Sequence, residues 1–296
     1  FDKALDDLNR GISLDPRPQF YYHRGKVYIE MLRNEDAISD LNTALDLGSQ
    51  MTDAEKALVY NHRGLAKRAL GNMAQAESDM SRAIELDGTN TEFRSNRAQC
   101  FYEQGLYDRA DNDLTQALAV DPVDAHLLYK RGLTRYAQKR YREAIGDLRQ
   151  ALTNAHSTNL ADIFYHLGVS YSNLGKHTLA VPEYDQAVLR CPDKPHYLHE
   201  RAKSLQICSE HEKAIEDFTR VLEMQPTNAR ALFRRAFSFK AIKRFDEAAE
   251  DFEAAKEFEP DDPRLVVNYR KVHTVGCISL GPCGHEDPVI RPPDEL

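Results

Sequence analysis

The chain has 296 residues, of which 42% are apolar and 29% charged, and its formal net charge is −8. No stretch of about 18 apolar residues occurs, so the sequence offers no membrane-spanning helix, and the acidic balance argues against nucleic acid, whose binders carry a basic surplus. Cys100, Cys191, Cys208, Cys277 and Cys283 are odd in number and scattered, and no Asn-x-Ser/Thr sequon is present; both point to a reducing, cytoplasmic setting.

Read in chain order, one unit recurs. Ala4, Ala37, Ala76, Ala110, Ala144, Ala180, Ala214 and Ala248 are separated by 33, 39, 34, 34, 36, 34 and 34 residues. A period near 34 is the mark of a solenoid of helix pairs, in which each pair touches only its neighbours. Phe1 to Pro16 reads as the second helix of a truncated repeat, and so as part of a longer chain. Seven tandem units follow over 17–260. In the unit from Val123 to Asn154, a first helix is predicted at roughly 125–138, with Leu128, Gly132 and Tyr136 as landmarks. A second is predicted at roughly 141–153, with Ala144, Leu148, Ala151 and Leu152 at the three- and four-residue spacing of one helix face. The interval of 39 leaves extra residues around Gly48 to Lys56, predicted as a longer loop. A smaller insertion is predicted near His156 to Asn159. Residues 261–273 read as one further first-type helix without a partner, and 274–296 as an irregular tail of Gly, Pro and Cys.

Within the units, a small residue recurs in each first helix, at Gly25, Gly64, Ala98, Gly132, Gly168, Ala202 and Ala236. An alanine followed four places later by a large residue recurs in each second helix. The pairs are Ala37 and Leu41, Ala76 and Met80, Ala110 and Leu114, Ala144 and Leu148, Ala180 and Tyr184, Ala214 and Phe218, and Ala248 and Phe252. Closing prolines stand at Pro16, Pro122, Pro192, Pro226 and Pro260. In these features the chain resembles the tetratricopeptide repeat family over about nine-tenths of its length. The resemblance implies an all-α fold, a right-handed superhelical solenoid of antiparallel helix pairs, with the first helices lining a concave groove. It also implies that 261–273 caps the last repeat.

One departure from the family pattern carries its own information. Where the family usually has Leu before the small residue, this chain has Arg24, Arg63, Arg97, Arg131, Arg201 and Arg235, with Leu167 as the exception. Sixteen residues after each Arg comes Asp40, Asp79, Asp113, Asp147, Asp217 and Asp251, while Glu183 follows Leu167. Partners at fixed spacing predict Arg–Asp ion pairs between packed helices, within or between repeats, rather than a row of ligand-binding arginines.

The resemblance places the protein-binding residues on the first helices: Tyr22, Lys26, Asn61, Arg68, Asn96, Tyr129, Lys130, Tyr136, Tyr165, Lys203, Arg230, Phe233, Arg234 and Lys240. The first helices carry about +11 of net charge, six of it from the ladder arginines, against about −19 elsewhere. A peptide or helix of acidic character is therefore the expected partner. Asn96 and Lys130 suit two places of the clamp with which some family members hold chaperone C-termini, but His126, Asn61 and Leu65 stand where Lys, Lys and Asn are needed.

No phosphate loop, nucleotide fingerprint or nucleophile elbow is present, and no enzyme, cofactor or metal is expected. His273, Cys277, Cys283 and His285 match no common zinc-finger spacing and read as an incidental part of the tail. His23, His62 and His166 share one register place and read as partly exposed groove histidines rather than a pH-sensing row. The final Asp294-Glu295-Leu296 lacks the basic residue of an ER-retention signal. The resemblance thus implies a non-enzymatic scaffold in a multiprotein assembly, cytoplasmic and by analogy ciliary or cytoskeletal. The alternatives are a co-chaperone-like adaptor for acidic C-terminal peptides and the regulatory portion of a larger enzyme.

Overall fold

The computed structural model describes residues 1–154 and 160–259. Its regular structure is helical throughout these residues, and the chain forms two compact units that divide after Lys176. In the first unit, α1 (Asp2–Leu14) comes first and packs against the helix that follows it. The pairs α2 (Pro18–Glu30) and α3 (Asn34–Asp46), α4 (Asp53–Ala69) and α5 (Met73–Leu86), α6 (Thr91–Glu103) and α7 (Tyr107–Val120), and α8 (Ala125–Ala137) and α9 (Tyr141–Asn154) follow, and α10 (Leu160–Asn173) ends it. The second unit has α11 (His177–Arg190), then α12 (Pro195–Ile207) with α13 (His211–Met224) and α14 (Ala229–Ala241) with α15 (Phe245–Phe258). These six pairs fall at the spacing of the alanine period. The insertion near 156–159, Pro260, the helix expected at 261–273 and the tail with its His and Cys lie outside the described residues.

The packing explains the period. In α9, Ala144, Asp147, Leu148 and Ala151 are buried on one face. A β-carbon on Gly132 of α8 would sit 2.9 Å from the Leu148 Cγ, so glycine lets the two helices approach this closely. Ala98, Ala202 and Ala236 hold the same register place in other pairs, where a methyl group is accommodated.

The turn between the helices of a pair also repeats. Leu32, Gly71, Gly105, Lys139, Gly175, Ser209 and Lys243 all have φ between 60° and 79°, the left-handed conformation that ends a helix. Three of the seven are glycine; the others carry strain. Lys139→Gly and Leu32→Gly should each raise stability by about 0.5 kcal/mol, relief of the strain exceeding glycine's added unfolded-state entropy. Urea unfolding of the two variants measures it, and a loss of stability in both refutes the strain.

One expected loop is mostly helix. After a short 3-10 turn at Gly48–Gln50, α4 begins at Asp53 and runs 17 residues. Thr52 accepts the Glu55 amide at 3.2 Å, and Glu55 accepts the Thr52 amide at 2.8 Å. This reciprocal capping box starts the helix a turn early and absorbs much of the insertion.

The predicted ladder is present. Each of Arg24, Arg63, Arg97, Arg131, Arg201 and Arg235 donates Nε and Nη2 to the two oxygens of its Asp at 2.6–2.9 Å. The six aspartates are only 1–6% exposed. Each pair joins the two helices of one repeat, and a third bond joins the repeats. Nη1 reaches back to the preceding second-type helix, to Asn9, Asn42, Ser81, Thr115, Asp185 and Thr219 in turn. At Asp217, burial outweighs Arg201 and pushes the carboxyl above its ordinary range. Burying such a pair is thus no large gain, whereas removing one partner is a large loss.

Where Leu167 interrupts the ladder, the guanidinium comes from the previous helix. Arg149 stands in the register place of Thr115, donates Nε to the Tyr171 hydroxyl at 3.0 Å and lies 5.7 Å from that ring's centre. The ladder arginines sit in the same way against Tyr28, Phe101 and Phe239, at 5.6–5.9 Å.

Candidate protein-binding surface

The first-type helices of the first unit touch one another through polar and aromatic side chains. Gln19 bonds Glu55, the Tyr22 hydroxyl meets His62 Nδ1 at 3.5 Å, Asn96 donates to the Asn61 side-chain oxygen at 3.1 Å, and Lys130 donates to Ser95 at 2.9 Å. Tyr129 and Tyr136 both pack against the ring of His166, as does Tyr165. The predicted residues of this unit are therefore brought onto one wall, yet they are not equally available.

Asn61 is fully buried, and its amide nitrogen has no acceptor among the described residues. It supports Asn96 rather than offering a contact of its own. Arg68 lies 3.8 Å from the Glu103 carboxylate, which offsets its charge. Lys26 sits over the Tyr22 ring, 5.7 Å from its centre, without an ion pair among the described residues. Lys130 is half-buried; desolvation, then the charge of Arg68, lowers its ammonium below the ordinary lysine value. It lines a small cavity of about 80 Å³ with Gln99, Tyr102, Leu133 and Thr134. Burial raises the Tyr129 hydroxyl to about 12 and lowers His62, whose Nδ1 lies 2.9 Å from the Leu58 carbonyl.

In the second unit, Lys203 is paired with Glu200 on its own helix at 3.2 Å. Arg230 is exposed and borders an open cavity of about 230 Å³ with Pro195, His196, His199 and Gln225. Phe233 and Phe237 are partly exposed and pack edge-on against each other at 4.9 Å and against buried Phe252 at 5.6 and 5.5 Å. Arg230, Phe233, Phe237 and Lys240 fall three, four and three residues apart, which is one stripe of α14. Neither Arg230 nor Lys240 has an ion pair among the described residues. Arg234 stands beside them, its carbonyl accepting from Gln206 at 2.6 Å. Sequence reasoning missed that Glu103 and Glu200 hold two of the expected cations.

Stacked helix pairs with an unused face of aromatic and charged side chains define a helical-repeat protein of the interaction-scaffold class. The chain belongs to the tetratricopeptide repeat family: models of that repeat match residues 18–47, 61–110, 95–159, 161–194 and 209–263, one of them alone over more than half of the chain. Among similar proteins are a FAM10 family protein of Arabidopsis thaliana, 35% identical over 88 residues, and Hsc70-interacting protein 1 of Drosophila melanogaster, 32% identical over 88 residues. Each match covers 29% of this chain, and 19% and 22% of the respective relative. Heat shock protein STI1 of Saccharomyces cerevisiae is 28% identical over 92 residues, 30% of this chain and 15% of its own. The chain thus spans less than a quarter of each of these relatives. Among solved structures, YrrB, described as a TPR protein with an unusual peptide-binding site, aligns with a TM-score of 0.59 at 23% identity over 65% of this chain and 97% of its own. PilF of Pseudomonas aeruginosa aligns with a TM-score of 0.63 at 24% identity over 75% and 99%. These likenesses establish the shared fold. No helix among the described residues is long and apolar enough to cross a membrane.

Proposed function

We propose that this scaffold holds an acidic protein segment against its first-type helices, with the stripe on α14 as the principal contact. The observation that carries the reading is the stripe itself: two partly exposed phenylalanines flanked by Arg230 and Lys240, two cations with no carboxylate partner among the described residues. Aromatic area supplies affinity, and the flanking charges select an acidic neighbour and speed its approach. Lys26 and Lys130 offer the same chemistry on the first unit, where each is uncompensated by a bonded carboxylate. Assembly into a larger complex, with a cytoplasmic, ciliary or cytoskeletal location, fits this role.

Arg230→Glu combined with Lys240→Glu should weaken binding of an acidic peptide about tenfold at low salt and flatten its salt dependence. Calorimetric titration with matched acidic and basic peptides tests this, with circular dichroism confirming the fold. An affinity unchanged by the double reversal removes the stripe from the site.

A second reading, a co-chaperone-like adaptor, draws support from the relatives whose names refer to Hsc70 and heat shock. It has Asn96 and Lys130 in suitable places, while buried Asn61 and apolar Leu65 oppose it. Preference for a peptide with a free acidic C-terminus over its amide would favour this reading over the first.

A further inference from the structure

The outward face of α11 differs from that of every other second-type helix among the described residues. Counted from the recurring alanine, the line pointing away from the buried side falls one residue before it and two, six and nine residues after it. In α11 that line is Leu179, Pro182, Gln186 and Leu189. Leu179 is 48% exposed and Leu189 75%, and Pro182 is exposed between them. In α13 the same places hold Lys213, Glu216, Arg220 and Glu223. Across the seven other second-type helices the line contains no leucine, isoleucine, valine, methionine, aromatic residue or proline, and only Ala119, Ala254 and Gly146 are not polar. Exposed apolar area gains nothing from folding, and a proline inside a helix removes one of its backbone bonds. Stability therefore does not account for these three residues, which coincide on one helix out of eight.

We infer that this line is a docking surface for a short amphipathic helix of another protein, apolar on one side and basic beside it. Residues 179–189 span about 15 Å, three turns, at the three- and four-residue spacing by which one apolar helix face engages another. The charge follows from the neighbours. Asp185 borders the line and is exposed, although bonded to Arg201 at 2.8 Å. The helices α11, α13 and α15 carry net charges of −1, −2 and −5, with Glu247, Glu250 and Glu257 on the outward line of α15. Of the outward cations on α13, Lys213 is held by Glu210 and Arg220 by the Pro192 carbonyl. A basic flank on the partner is thus favoured, whereas a second copy of this face would set like charges together. None of these residues belongs to the stripe on α14, so the two surfaces can be tested apart.

The probe is a peptide of about four helical turns with leucines along one face and lysines beside them, titrated calorimetrically into the full chain. Its controls are a scrambled peptide of the same composition and one with glutamate in place of lysine. The amphipathic basic peptide should bind at least about tenfold more tightly than either control. Leu179→Gln combined with Leu189→Gln should remove its preference over the scrambled peptide, while Arg230→Glu with Lys240→Glu leaves that preference in place. Equal affinity for the amphipathic and scrambled peptides, or for the lysine and glutamate versions, overturns the inference. So does a preference that survives loss of both leucines, or one that is lost with the two cations of α14. A dimer of the chain, seen by sedimentation and abolished by the two leucine substitutions, overturns it as well, since the occupant is then a second copy.

Discussion

Arg97→Leu will destabilise the protein by about 3–5 kcal/mol, the loss typical when one partner of a buried ion pair is removed. Asp113 is 1% exposed and receives both of its carboxylate bonds from Arg97, at 2.7 Å. Without the guanidinium the carboxylate has neither water nor a counter-charge. Making Asp113→Leu as well should recover most of the loss, because an apolar pair of similar volume removes the desolvation cost along with the attraction. Arg131→Leu offers an internal control. Asp147 keeps a second guanidinium there, from Arg135 at 2.8 Å, so the loss should be distinctly smaller. Urea midpoints measure all three results. Equal losses at Arg97 and Arg131, or a double variant no more stable than Arg97→Leu, would sink the ladder as a stabilising device.

Phe252→Ala is the second large effect, about 3–5 kcal/mol from lost burial and an unfilled cavity. Phe252 is fully buried in α15 and is the floor on which Phe233 and Phe237 rest, at ring distances of 5.6 and 5.5 Å. The same substitution should loosen the stripe on α14 and weaken peptide binding. Phe252→Leu, closer in volume, should cost roughly 1.5 kcal/mol or less and keep the binding. Calorimetric unfolding and peptide titration on both variants separate the two effects. Wild-type affinity in a destabilised Phe252→Ala would show that α14 does not need this floor to bind.

The helix pairs, their order and the ion-pair ladder were legible because the chain states them many times at fixed intervals. A period near 34 sets one hairpin, and the interval of 16 aligns Arg and Asp across it whatever lies further away. The early start of α4 was also written locally, in Thr52 and Glu55, and was passed over because the repeat count favoured a loop. Availability of the candidate contacts was not legible. Asn61 occupies the same register place as Tyr22, Tyr129 and Phe233, yet it alone of the four is fully buried.

The linear order of residues therefore determined the family, the period of the helix pairs and the pairing of Arg with Asp at an interval of 16. What lies between hairpins was decided only by tertiary structure. The third bond of every ladder arginine and the guanidinium that Arg149 supplies beside Leu167 both depend on which neighbour a helix meets. The physical reason is that burial and charge compensation are properties of a shared space, which a spacing rule within one repeat does not contain.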